Sequence, residues 1–249
     1  MRGWLFVIIL SLFTRSYAAE PTPAAPPGAP PGMGALALML HVLDGHKPFS
    51  ANAEMFLFSG QQLALQSEMA FSYRNGMARM EVDMAKIKSE KMTPKLLTGM
   101  KQLGLDKSVA WILPKNNTMR TSYPELRAWC ELPMPKNDAT VLQAKYKKSV
   151  HVEGEDKVFG IQCAKELVTL TPEMGEPVHV RVWRAKVLNG FPVQFELPEG
   201  KNIVRMRFAN LRLVPPPLTD FTPPVGYERH KTLSSLLKVA AQRVEPKKK

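Results

Sequence analysis

A chain of 249 residues, 45% of them hydrophobic, holds enough apolar mass for a sizeable core, which excludes a disordered or fibrous protein. Lysine and arginine number 34 against 22 aspartates and glutamates, a formal charge of +12. That balance favours anionic partners such as phospholipid headgroups or envelope polymers. The basic residues are scattered, with local density only around Lys86 to Lys107, at Arg205, Arg207 and Arg212, and at Lys247, Lys248 and Lys249; a spread of this kind reads first as a solvated face.

Residues 1–18 read as a cleavable signal peptide. Arg2 starts it, the apolar run from Trp4 to Phe13 is too short to span a bilayer, and Ser16-Tyr17-Ala18 precedes Ala19 with small residues at the cleavage site. The first cysteine is Cys130, so no thiol stands at the new N-terminus to carry a lipid. The expectation is a soluble, exported, periplasmic protein, and export excludes nucleic acid as a partner. Residues 19–33 form a proline- and alanine-rich spacer, extended and semi-rigid. A folded domain over 34–229 follows. It opens with a buried helix from Ala35 to Leu43, ended by Gly45 and Pro48.

From Phe49 the apolar period becomes two, with Phe49, Ala51, Ala53, Met55 and Leu57 on one face of a strand. Asn75-Gly76 is a strong hairpin turn, because both residues tolerate positive φ. Folding about it sets Tyr73 opposite Ala78, Phe71 opposite Met80, Met69 opposite Val82 and Ser67 opposite Met84. The other face pairs Ser72 with Arg79 and Ala70 with Glu81. A slip of one residue would scramble both faces, so the register is specified. Thr93-Pro94 starts a helix carrying Leu96, Leu97, Met100 and Leu103 up to Gly104. Strands resume at 109–113 and 119–123 around an Asn116-Asn117 turn, and Asp138 caps a second short helix running to Tyr146.

The second half reads as a meander. Strands at 150–153 and 158–170 flank a Gly154-Glu155-Asp156 turn, and others follow at 178–183, 193–197 and 203–213, ended by Pro215-Pro216-Pro217. Many half-polar strands in series imply a mainly β, α+β fold: a large curved antiparallel sheet that curls on itself around short helices. Residues 230–249 form a C-terminal helix with a basic tail. Leu233, Leu236, Leu237 and Ala240 share one face ahead of the lysines, and such a helix can lie on an anionic membrane surface or dock on the sheet.

No catalytic constellation emerges. His41, His46, His151, His179 and His230 show no metal-ligand spacing, and there is no phosphate loop and no nucleophile elbow. The chain reads as a non-enzyme without cofactor or metal. Cys130 and Cys163 form either one disulfide or two buried thiols. What stands out is soft apolar mass, 14 methionines against 11 phenylalanines. Met69, Phe71, Tyr73, Met80, Val82 and Met84 share one face of the hairpin, and methionine adapts to guests of variable shape. These six are the candidate lining of an apolar cavity; the alternative is ordinary core.

Several pieces in order resemble the LolA/LolB-like periplasmic lipoprotein-carrier superfamily and its exported relatives. They are Gly76-Met77-Ala78-Arg79-Met80-Glu81, Trp111 followed by Leu113-Pro114, and Gly160-Ile161-Gln162-Cys163. Trp183-Arg184-Ala185-Lys186 with Gly190-Phe191-Pro192-Val193, and Phe221-Thr222-Pro223-Pro224-Val225-Gly226-Tyr227, complete the set. The resemblance spans Ala35 to Tyr227. It implies an unclosed β-barrel around helices, an apolar cavity that receives acyl chains, and a lid at Thr93 to Gly104. Lipid or a lipidated protein is the implied partner. The spacer and lysine-tipped tail depart from the pattern, and the missing lipidation cysteine argues against a membrane-anchored, LolB-like receptor. A protein-interaction or envelope-sensing module on the same fold is the other reading.

Overall fold

The computed structural model describes residues 33–243; the segment read as a signal peptide, all but the last residue of that read as a spacer, and Lys247, Lys248 and Lys249 lie outside the described residues. Four helices are present among them: α1 (Met33–Leu43), α2 (Pro94–Leu103), α3 (Lys136–Gln143) and α4 (Leu233–Gln242). The first meander comprises β1 (Phe49–Ser59), β2 (Gln62–Arg74), β3 (Met77–Asp83), β4 (Lys107–Leu113), β5 (Thr118–Tyr123) and β6 (Ala128–Pro133). The second comprises β7 (Tyr146–Val158), β8 (Ile161–Pro172), β9 (Val178–Ala185), β10 (Phe191–Glu199) and β11 (Asn202–Arg212), and β12 (Glu228–His230) closes the set. All twelve strands belong to one sheet, ordered β12-β6-β5-β4-β3-β2-β1-β11-β10-β9-β8-β7. Every pairing is antiparallel except β12 on β6. The two meanders join where β1 pairs with β11.

The β2–β3 hairpin has the register its sequence implies: Tyr73 pairs with Ala78, Phe71 with Met80, Met69 with Val82, Ser72 with Arg79 and Ala70 with Glu81, about a turn with Asn75 at φ 52° and Gly76 at φ 80°. Thr93 caps α2, its hydroxyl accepting from the Leu96 N–H at 3.3 Å, and Gly104 ends the helix in the left-handed region.

The sheet curls around α1. One continuous apolar cluster joins α1 to side chains of nine adjacent strands, from β4 through β1 and β11 to β7. Laid flat, nine strands would be ~38 Å wide, against a helix only ~10 Å across. The gathering requires curvature. Phe49 packs on Phe71, Phe191 and Phe208 with ring centroids 5.0–5.7 Å apart, drawing β1, β2, β10 and β11 together. The architecture is the open, mostly antiparallel sheet around helices that the sequence implies.

Several details differ from expectation. Gly154 lies inside β7 as a bulge, at φ 147°, and the β7–β8 turn falls at Phe159-Gly160, with φ 49° and 77°. Glycine absorbed an extra residue in the strand, while the left-handed turn position went to a phenylalanine, which the usual turn residues do not signal. Asp138 sits in the first turn of α3 behind an N-cap at Pro135, and α3 ends at Gln143, freeing Tyr146 for β7. Met84 leaves the ladder for a short 3-10 turn, and Ser67 pairs with Met55. Strands β6 and β12 carry too little alternating pattern to stand out in the sequence.

Candidate functional site

The registers of β2 to β6 place two roofed clusters on one face of the sheet. The cross-strand row Phe71–Met80–Ala110–Thr121–Cys130 runs without a break. Its ends, Phe71 and Cys130, are fully buried, while Met80, Ala110 and Thr121 in the middle are half-buried. A parallel row, Tyr73–Ala78–Ile112–Met119–Leu132, turns from buried to half-buried at Met119.

The reason lies in the roofs. On one side α1 covers the row; its residues from Ala35 to Leu40, with Val42 and Leu43, are all buried, as a helix apolar on every side must be. On the other side α2 and α4 present Met100, Leu103, Leu236 and Ala240 to Ala128 and Cys130 of β6. Between the roofs runs a seam of small and flexible side chains: Met80, Val82, Ala110, Thr121 and Met119, all half-buried.

The six residues singled out from sequence separate here. Met69, Phe71 and Tyr73 are buried in the α1 cluster. Met80 and Val82 pack at the border of that cluster, in the seam. Met84 packs against the α2/α4 cluster, on the seam's far bank. Ala110, Thr121 and Met119 reach this face through the β3–β4–β5 registers, and the Asn116-Asn117 turn, with Asn117 at φ 51°, is the sequence signal for the second of them.

The α2/α4 side is a dry environment. Burial pushes the Tyr123 phenol up to about 12 and the Cys130 thiol up to about 11, so neither ionises near neutral pH. Cys130 and Cys163 are free thiols, buried in different clusters. The pairing considered from sequence does not occur, because β6 and β8 lie near opposite ends of the sheet order. The apolar stripe of α4 is likewise not available to a membrane surface: Leu236 and Ala240 are fully buried on the sheet, with Leu233 and Leu237 beside them.

The opposite face carries charged side chains beside a smaller buried apolar cluster. A cleft of about 550 Å³ has Glu54, Glu68, Glu81 and Asp83 in its lining against Lys86 and Lys107, together with Met69, Val82 and Val109. Arg205 is paired with Glu196 and lies over Phe58 at 5.0 Å, and Arg207 lies over Phe56 at 5.2 Å, so this basic cluster is held within the sheet surface. Residues 214–226 strap this face: the Trp111 Nε1–H donates to the Asp220 carbonyl at 2.7 Å, and Phe221 packs on Val109, Trp111 and Leu113. Among the described residues no three His, Cys, Asp or Glu side chains converge as a metal site, and no helix is long and apolar enough to cross a membrane.

No family model and no curated protein sequence matches the chain. Solved structures with a similar course of the chain include LprF from Mycobacterium bovis, 13% identical over 79% of this chain and 98% of that one, with a TM-score of 0.37. The Mycobacterium tuberculosis lipoprotein LppX is 8% identical over 72% and 94%, with a TM-score of 0.38. A structure of the Pseudomonas aeruginosa MucA/MucB complex is 11% identical over 77% of this chain and 61% of that one, with a TM-score of 0.35.

Proposed function

We propose that this chain is an exported, non-enzymatic binder of acyl chains, free in a lipid or carried by a lipidated protein, and that the guest lies in the seam between the two roofs. The observation that carries this reading is the half-buried row of Met80, Ala110 and Thr121, with Val82 and Met119 beside it, between two fully buried clusters. Apolar side chains at that depth have a face without a partner, and each methylene moved from water onto them contributes about 0.8 kcal/mol. Methionine at Met80, Met84 and Met119 lets the strip adjust to chains of different length.

Displacement of a fluorescent fatty acid tests it. Wild type binds the probe, and its organic extract contains lipid by mass spectrometry. Ala110→Trp, which fills the seam from a half-exposed position, and Met80→Asp weaken binding at least about tenfold, the loss of two methylene contacts, with the thermal midpoint little changed. A folded wild type that binds no probe and yields no lipid overturns the reading.

A second reading, a protein-interaction or sensing module, is favoured by α1, whose buried length fills the interior beneath β1, β2, β10 and β11. It predicts an extract free of lipid.

A further inference from the structure

α1 enters the domain between two carboxyl groups from distant parts of the chain. The Ala35 N–H donates to Glu199 Oε2 at 2.6 Å. A side chain placed on Gly34 would meet Glu199 Oε2 at 3.2 Å and Asp138 Oδ1 at 3.7 Å, so both carboxyls converge on one point beside the first turn of the helix. Pro31-Gly32 ahead of it offer no side-chain acceptor, and Glu199 supplies the cap from β10. Asp138 belongs to α3. It is 7% exposed, and its Oδ2 is buried without a hydrogen-bond partner. An ionised carboxylate in that position costs more than a protonated one.

We propose that α3 is a proton-operated latch on α1: Asp138, protonated beside Glu199, holds α3 against the start of the core helix, and loss of that proton loosens it. The charged groups around Asp138 bear this out. Glu199 on β10 is the charge that acts on it. From Met33 to Leu40, α1 carries no charged side chain. Lys115, Lys136 on α3 itself, and Lys201 in the β10–β11 turn are exposed, and no cation pairs with Asp138 among the described residues.

At the other end of α3, the His41 Nε2–H donates to the Val141 carbonyl at 2.7 Å, a bond that survives protonation of the ring. Lys148 and Asp44 are the charges acting on that histidine. The Asp138 contact is therefore the one that fails as pH rises. Burial first, and Glu199 second, push the Asp138 carboxyl up to about 6. A pKa raised on folding holds α3 most firmly below the ordinary carboxylate range, and the hold is lost as pH rises through about 6. The latch operates whether or not the seam holds a guest.

Amide hydrogen exchange on the full chain at pH 5.0 and 7.5 tests this, with α2 amides as internal reference because Tyr123 and Cys130 beneath them do not titrate there. In wild type, the opening equilibrium of α3 relative to α2 rises about tenfold between the two pH values. Asp138→Asn, which mimics the protonated form, abolishes the rise. Glu199→Gln keeps an acceptor for Ala35 but removes the neighbouring charge, moving the rise to lower pH. It decides the matter if the asparagine variant does not fold. A wild-type α3 whose relative protection is flat across this range, or an Asp138→Asn profile identical to wild type, overturns the latch.

Discussion

The two roofs over one sheet face are built on different terms. α1 is apolar around its whole circumference and buried along nearly its whole length, and its first turn is capped by Glu199 from the far end of the chain. α2 and α4 are amphipathic, burying Met100, Leu103, Leu236 and Ala240 while Lys95, Lys101 and Lys238 stay outside. Each is capped by its own residues: Thr93 accepts from Leu96, and Thr232 with Ser235 forms a capping box. A helix that supplies its own caps and exposes a polar face is held to the sheet by one apolar stripe only. A helix with neither is the core itself. The seam lies where the two kinds of roof meet.

The largest expected effect sharpens that contrast. Phe49→Ala removes a fully buried ring packed on Phe71, Phe191 and Phe208 and costs about 3–5 kcal/mol of global stability in urea unfolding. Leu236→Ala, equally buried in the α2/α4 cluster, costs about 2–4 kcal/mol by the same rule. Its exchange signature is local to α2, α4 and β6. Equal, chain-wide acceleration of exchange in both variants would show that the roofs are one cooperative unit.

A smaller effect separates self-capped from remotely capped helices. Thr232→Ala, losing the acceptor for the Ser235 N–H at 3.1 Å, costs about 1 kcal/mol, read as a lower urea midpoint with the slope unchanged. Stability indistinguishable from wild type would mean that α4 is held by packing alone.

The smallest effect is in pH. Near the end of α1, burial, then Arg184 and Lys148, lower the pKa of His46; Arg184 Nη1 is 3.3 Å from its Nε2. A pKa depressed on folding contributes stability that is present above the ordinary value of 6.5 and lost as pH falls through the lowered one. The His46 contribution to the thermal midpoint therefore declines on acidification below that range, with His41 acting in the same sense and Asp138 in the opposite one, and the midpoint of His46→Gln falls less than that of wild type. On the α2/α4 side, Tyr123 and Cys130 stay neutral there. An unchanged decline in His46→Gln would assign it elsewhere.

Short-range chemistry was legible from the residues alone. The β2–β3 register followed from one turn and one alternation, because the period of two admits a single sorting of faces. Thr93 announced its helix through capping that lies within four residues. The turn at Phe159-Gly160 was not legible, since Gly154 is the stronger turn residue and only the pairing of Asp156 with Cys163 shows that β7 runs on past it.

The sequence by itself determined most strand and helix positions and the apolar face of the central hairpin, because caps, turns and alternation act between residues a few positions apart. Only the tertiary structure decided that β1 pairs with β11, that α1 fills the sheet, that α4 turns its stripe to β6, and that Cys130 and Cys163 part company. Those outcomes depend on which buried surfaces meet between segments distant along the chain. Periodicity says that a face is apolar; it does not say which other face covers it. The seam is the half-covered strip at the border of the α1 cluster, where Met80, Val82 and Met119 pack against it without full burial, and it exists only once both roofs are in place.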